Sequence, residues 1–114
     1  WGPVVRVNDD RWQNLIRWTL FALINAEELG VSSQNVDAMV ESANPKVRRL
    51  LGLDGSFGAA LGIPDNWAQN IIREVGNYGE IYDRNLGRSS GLGIARAQND
   101  LWIRGGLMYA PPIR

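Results

Sequence analysis

At 114 residues the chain is long enough for one domain and too short for two. Lysine plus arginine (12) balance aspartate plus glutamate (12), so the sequence lacks the basic footprint that nucleic acid or an anionic lipid surface requires. With no cysteine and no histidine, disulfides, thiolate chemistry and the commonest general base and metal ligand are all excluded.

The opening Gly2-Pro3-Val4-Val5-Arg6-Val7 is short and β-branched and reads as one extended strand, which cannot be stable without partners. Asn8-Asp9-Asp10 supplies N-cap chemistry and negative charge for a helix start. Trp12, Leu15, Ile16, Thr19, Leu20, Leu23 and Ile24 then recur at helical steps. Trp18 and Phe21 lie off that stripe, so the helix should be buried on most sides. Its apolar run, Leu15 to Ile24, is about half the ~20 residues that span a bilayer, and it carries Arg17. Gly30 is a natural left-handed stop.

Ser32-Ser33 opens a second, short helix with Val36, Met39 and Val40 inward. Asn44-Pro45 opens a third, with Val47, Leu50 and Leu51 on its apolar face and Gly52 at its end. Residues 53–62 read as a compact loop with one helical turn. Trp67, Ala68, Ile71, Ile72 and Val75 form a further stripe that Gly76-Asn77 interrupts. Asn77 with Glu80 three residues on is a capping-box pattern, which predicts two helices, at about 66–75 and 78–86. A flexible glycine-serine linker is expected over 88–93, a helix over 94–104 with Arg96 and Asp100 paired at one-turn spacing, and an extended tail. The fold class that follows is mainly α, with several short-to-medium helices and one short N-terminal strand. The chain divides into residues 1–8, a helical body at 9–87, and a linker, last helix and tail at 88–114.

Few residues invite chemistry. Asp9-Asp10 and Glu27-Glu28 are adjacent carboxylates, and neighbours on a helix do not face each other. They read as a helix cap and a solvated helix end. The loop from Gly87 to Gly93 contains Gly-x-Gly but neither a preceding strand nor a Gly-Lys-Ser/Thr signature, so it does not read as a phosphate loop. Arg48-Arg49 reads as the exposed face of a short helix, and a serine nucleophile would have only Lys46 for a base. No catalytic, metal-binding or cofactor-binding residue is singled out, and no active site assembles.

Three stretches carry a resemblance. They are Trp1-Gly2-Pro3-Val4-Val5-Arg6 with Asp9-Asp10-Arg11-Trp12; Gly76 to Gly87, which is similar to a late helix written Gly-Thr-Tyr…Ile-Tyr…Trp-Phe-Gly; and Leu101-Trp102 with the tail from Gly105 to Arg114. Together they resemble the C-terminal part of periplasmic solute-binding proteins of ABC transporters for amino acids, and among these the general L-amino-acid-binding branch. The resemblance covers essentially the whole chain. It implies the C-terminal part of a two-lobe α/β type II fold, with 1–8 as a strand crossing between lobes. It also implies a periplasmic location and a parent that closes on an L-amino acid by hinge motion and meets the membrane subunits of an ABC importer. In the family most groups that clamp the amino acid come from segments upstream of this one. Arg6 and Asn8 lie near the crossover, and neither matches a ligand-contact motif.

The chain begins at Trp1 rather than methionine, so we expect a further part upstream. The principal reading is a piece of an amino-acid-binding protein that supplies lobe structure and hinge and is no enzyme. The alternative is a stand-alone helical module that self-associates, since Trp12, Trp18, Leu20, Phe21 and Ile24 need cover. A homo-oligomer is expected of the isolated chain, unless the tail folds back over the first helix and seals a monomer.

Overall fold

The computed structural model describes residues 2–113. Trp1 and Arg114, at the ends of the first and last resembling stretches, lie outside the described residues. Helix α1 spans Asp10–Glu28. The Asp9 carboxylate accepts the Trp12 amide N–H at 3.1 Å, satisfying one of the free donors of the first turn. At the other end Gly30 turns left-handed at φ 74°. The Val31 amide then reaches the Ala26 carbonyl at 2.8 Å, and the Gly30 amide reaches Glu27 at 3.2 Å. This is the Schellman arrangement, and it buries Val31 beside Ala26. Five consecutive residues, Ala22 to Ala26, are buried, so the helix is surrounded on all sides only in its C-terminal half. Its N-terminal half is open, with Trp12 half exposed.

Four shorter helices follow: α2 (Pro45–Leu50), α3 (Phe57–Leu61), α4 (Trp67–Val75) and α5 (Tyr78–Asn85). α2, α4 and α5 were legible from a cap or a stripe, and α3 is the single helical turn expected within 53–62. Asn44 caps α2 through the Lys46 amide at 2.9 Å. Between α4 and α5 the chain breaks at Gly76-Asn77, with both halves of the capping box formed. Val36, Val47, Leu50, Leu51, Trp67 and Ile72 pack with Ala22, Ala26 and Val31 as the main core. Trp18 meets Phe57 edge-on with centroids 4.6 Å apart, and Phe21 at 5.3 Å.

The structure departs from expectation in four places. First, residues 2–6 form no strand, because among the described residues they have no ladder partner, and Val4 and Val7 are exposed. Second, the segment after Ser32 is a turn leading into a 3-10 helix, Ala38–Glu41, rather than an α-helix. The Asn35 side chain accepts from the Ser32 amide at 2.7 Å and donates to the Gly30 carbonyl at 2.9 Å, and these local bonds compete with a helical ladder. Val36 is nevertheless buried, with Met39 and Val40 packed on the core.

Third, residues 88–93 are no free linker. The Asp83 carboxylate accepts from the Arg88 amide and the Ser89 hydroxyl, fixing a 3-10 turn at Arg88–Ser90. Fourth, no helix runs from 94 to 104. Two single 3-10 turns, Ala97–Asn99 and Trp102–Arg104, replace it. Amide and carbonyl groups there bond the tail instead: Trp102 to Met108 at 3.0 Å, Met108 to Asp100 at 3.0 Å, and Leu107 to Gln98 at 2.8 Å. This crossing buries Leu101 against Ile24 and Ala110.

Candidate functional site

Two clusters gather at the C-terminal end of α1, and its adjacent carboxylates part between them. Glu27, expected at a solvated helix end, has a side chain only 7 % exposed. It receives both terminal nitrogens of Arg96, and Nη1 of Arg104 at 3.1 Å. The Arg96 guanidinium also sits over the rings of Tyr78 and Tyr82, 5.4 and 5.6 Å from their centroids. Burial pushes its pKa down, but the Glu27 hydrogen bond and charge outweigh that and hold it above the ordinary arginine value. Arg96 still meets Asp100 at 3.6 Å, although no helix joins them. All the groups in this cluster are engaged with one another, so it fastens the segment around Arg96 to α1.

Glu28 faces the other way, into a cavity of about 450 Å³. Asn25, Glu28 and Leu29 of α1 form one wall and Lys46, Arg49 and Leu50 of α2 a second; Trp102, Tyr109, Ala110, Pro112 and Ile113 close it from the tail. Asn25 Nδ2 donates to the Pro111 carbonyl at 2.8 Å and clips the tail to the helix. Trp102 Nε1 donates to Glu28 at 3.3 Å, and the Trp102 and Tyr109 rings stack edge-on at 6.0 Å. A shallower recess of about 250 Å³ lies between Arg11, Asn14 and the end of α3.

The residues weighed from sequence are scattered. Asp9 caps α1 and Asp10 lies exposed in its first turn. Arg48 pairs with Asp54 at 2.8 Å and points away from the cavity that its neighbour Arg49 lines. Arg6 and Asn8 are exposed, Asn8 in the left-handed region at φ 68°. Among the described residues no group of acidic side chains is placed to hold a metal ion, and no helix is long and apolar enough to cross a membrane. Lys46 and Arg49 share a cavity wall through their three-residue spacing, a readable signal; the return of the tail over α1 was weighed only as an alternative, because its partners are distant in sequence.

No family model matches the chain. The general L-amino acid-binding periplasmic protein AapJ of Rhizobium johnstonii is 52% identical over 115 residues, covering 99% of this chain and 34% of AapJ. The chain is similar to one third of an amino-acid-binding transport protein. The glutamate/glutamine/aspartate/asparagine-binding protein BztA of Rhodobacter capsulatus is 46% identical over 114 residues, again with 99% of this chain and 34% of BztA covered. An ABC transporter periplasmic binding protein from Brucella ovis, solved with glutathione bound, superposes with a TM-score of 0.93 at 48% identity. That match covers 96% of this chain and 35% of the solved one. These solute-binding homologues are transport proteins rather than enzymes, and the chain spans about a third of their length.

Proposed function

We propose that the chain is part of a periplasmic solute-binding protein that delivers L-amino acids to an ABC importer, and that it supplies lobe structure and hinge rather than the main ligand clamp or any catalysis. The supporting observation is the 0.93 superposition on a third of a solved binding protein by a chain whose most buried charges are spent on each other. Glu27, Arg96, Arg104 and Asp100 neutralise one another, so they have little left to hold the carboxylate and ammonium of a free amino acid. The intact protein's partners are then the amino acid and the importer's membrane subunits.

Exchange tests this. The chain is grafted in place of the matching third of AapJ, and separately of BztA. Each chimera should bind the amino acids its host binds, because the clamp lies in the remaining two-thirds. Selectivity that travels with the graft would defeat the structural role. Two well-folded chimeras that bind no amino acid would defeat the solute-binding reading itself.

A second reading, self-association of the isolated chain, has support of its own. The tail covers the C-terminal half of α1, and Phe57 covers Trp18, but Val4, Val7 and Trp12 remain exposed at its N-terminal end. We propose a symmetric homo-oligomer that covers this end.

A further inference from the structure

We propose that the cavity at the C-terminal end of α1 is a binding site for a small carboxylate with an apolar body. Its volume of about 450 Å³ lies within the roughly 300–1,000 Å³ usual for small-molecule pockets. The floor is apolar, from Leu29, Leu50, Pro112 and Ile113. Two cations, Lys46 and Arg49, stand on one wall, and among the described residues neither has a carboxylate within ion-pair distance. The contrast with Arg48 is instructive: it is neutralised by Asp54 on the outer side of the same helix. Among the described residues Glu28 is the one acid on the lining, and it already accepts the Trp102 indole N–H. Lys46 and Arg49 against Glu28 leave the site with excess positive charge.

The walls are tied together before any ligand arrives, because the Asn25–Pro111 bond holds the tail on α1. A preformed apolar floor beneath cations favours a monoanion whose carboxylate meets Arg49 and Lys46 while its body displaces water below. A free amino acid fits less well, since its ammonium would enter the same positive field. The site is also remote from the crossover implied for residues 1–8: the 19 residues of α1 separate them by about 28 Å at 1.5 Å per residue.

Three ligands of one shape decide the matter: 3-phenylpropionate, its neutral amide, and L-phenylalanine. Each is titrated into the 114-residue chain by calorimetry and followed in amide and indole NMR signals. The acid should bind saturably and shift signals of Lys46, Arg49 and Trp102, and the other two should bind on the order of tenfold more weakly. Lys46→Gln with Arg49→Gln, exposed positions whose change should leave the circular dichroism intact, should weaken the acid about tenfold and leave the amide unaffected. Absence of saturable binding at millimolar acid, shifts confined elsewhere, equal binding of the amide, or preference for phenylalanine would each overturn the proposal. The AapJ chimera is titrated as well: retained binding of the acid supports the site, and its loss there shows the cavity covered in the longer protein and overturns it.

Discussion

Asn77 serves two parts of the chain at once. Its Oδ1 accepts the Glu80 amide at 3.0 Å, capping α5, while its Nδ2 donates to the Val31 carbonyl at 2.9 Å just beyond α1. Asn77→Ala removes a cap worth about 1 kcal/mol and strands a buried carbonyl at about 1–3 kcal/mol. We expect a loss of about 2–4 kcal/mol, read from the denaturant midpoint. Glu80 completes the box, and it also accepts from the Ser33 amide and hydroxyl. Burial pushes its carboxyl up, but the hydrogen bonds from Ser33 and Asn77 prevail and hold it below the ordinary glutamate value. A depressed folded pKa stabilises the protein fully above the ordinary value. That contribution fades as pH falls through the ordinary value and on to the folded one. Asp37, Asp54, Asp83 and Asp100 are lowered too, by hydrogen bonds from Arg73, Arg48, Ser89 and the Leu101 amide respectively, so the whole chain should weaken in acid. Glu80→Gln isolates one share: its deficit against the parent should shrink as pH drops, and a deficit independent of pH would contradict the assignment. The spacing of Asn77 and Glu80 showed the box in the sequence, whereas nothing near Glu27 announced Arg96, 69 positions away.

Helix ends here depend on glycine in two distinct ways. Gly30 and Gly52 share a left-handed φ, 74° and 75°. A Cβ at Gly30 would meet open space, whereas one at Gly52 would lie 2.0 Å from the Asp65 carbonyl oxygen. Gly30→Ala should therefore cost only the left-handed penalty of about 1–2 kcal/mol, and Gly52→Ala distinctly more, as denaturation of the two variants will show. The segment around Arg96 has no helical ladder, so its attachment depends on the Glu27 cluster. Glu27→Ala leaves the Arg96 guanidinium with only the longer contact to Asp100 and its bonds to the Asn99 carbonyl, a loss of about 1–3 kcal/mol. Trypsin should then cleave at Arg96 and Arg104 well before the rest of the chain unfolds. Asp54→Ala breaks an exposed pair of similar geometry and should leave the midpoint in place. An unchanged tryptic pattern in Glu27→Ala would refute this fastening role.

For the molecule as a whole, the question is what covers the open end of α1. Burying a large apolar side chain yields roughly 1.5–3 kcal/mol, so Val4, Val7 and Trp12 together favour association. Sedimentation at micromolar concentration should show an oligomer for the isolated chain, and Trp12→Ser with Val7→Ser should shift it to monomer. A clean monomer in the parent chain would refute self-association. Free L-amino acids should show no micromolar binding to the isolated chain by calorimetry, because the proposed function assigns the groups that clamp them to other segments. The exchange between AapJ and BztA places the same question in full-length proteins.

Local chemistry was enough for much of this chain. The cap at Asp9, the stop at Gly30, the proline start at Asn44-Pro45 and the break at Gly76-Asn77 each depend on residues within a turn of one another, so the sequence by itself determined α1, α2, α4 and α5 and most of their inward faces, and for α3 only a helical turn within a loop. The resemblance carried in the Gly76 to Gly87 helix and in the tail also pointed to the solute-binding homologues. Tertiary structure decided the rest. Residues 94–104 have helical spacing, yet their backbone bonds go to 107 and 108 because burying Leu101 on Ile24 stabilises the crossing more than an isolated turn of helix would. Glu27 reads as a surface acid until Arg96 and Arg104 close over it, and the cavity exists only because the tail returns to Asn25. Caps and stops are short-range and can be read in order along the chain; a buried ion pair or a cavity joins residues dozens of positions apart, and only packing selects which ones meet.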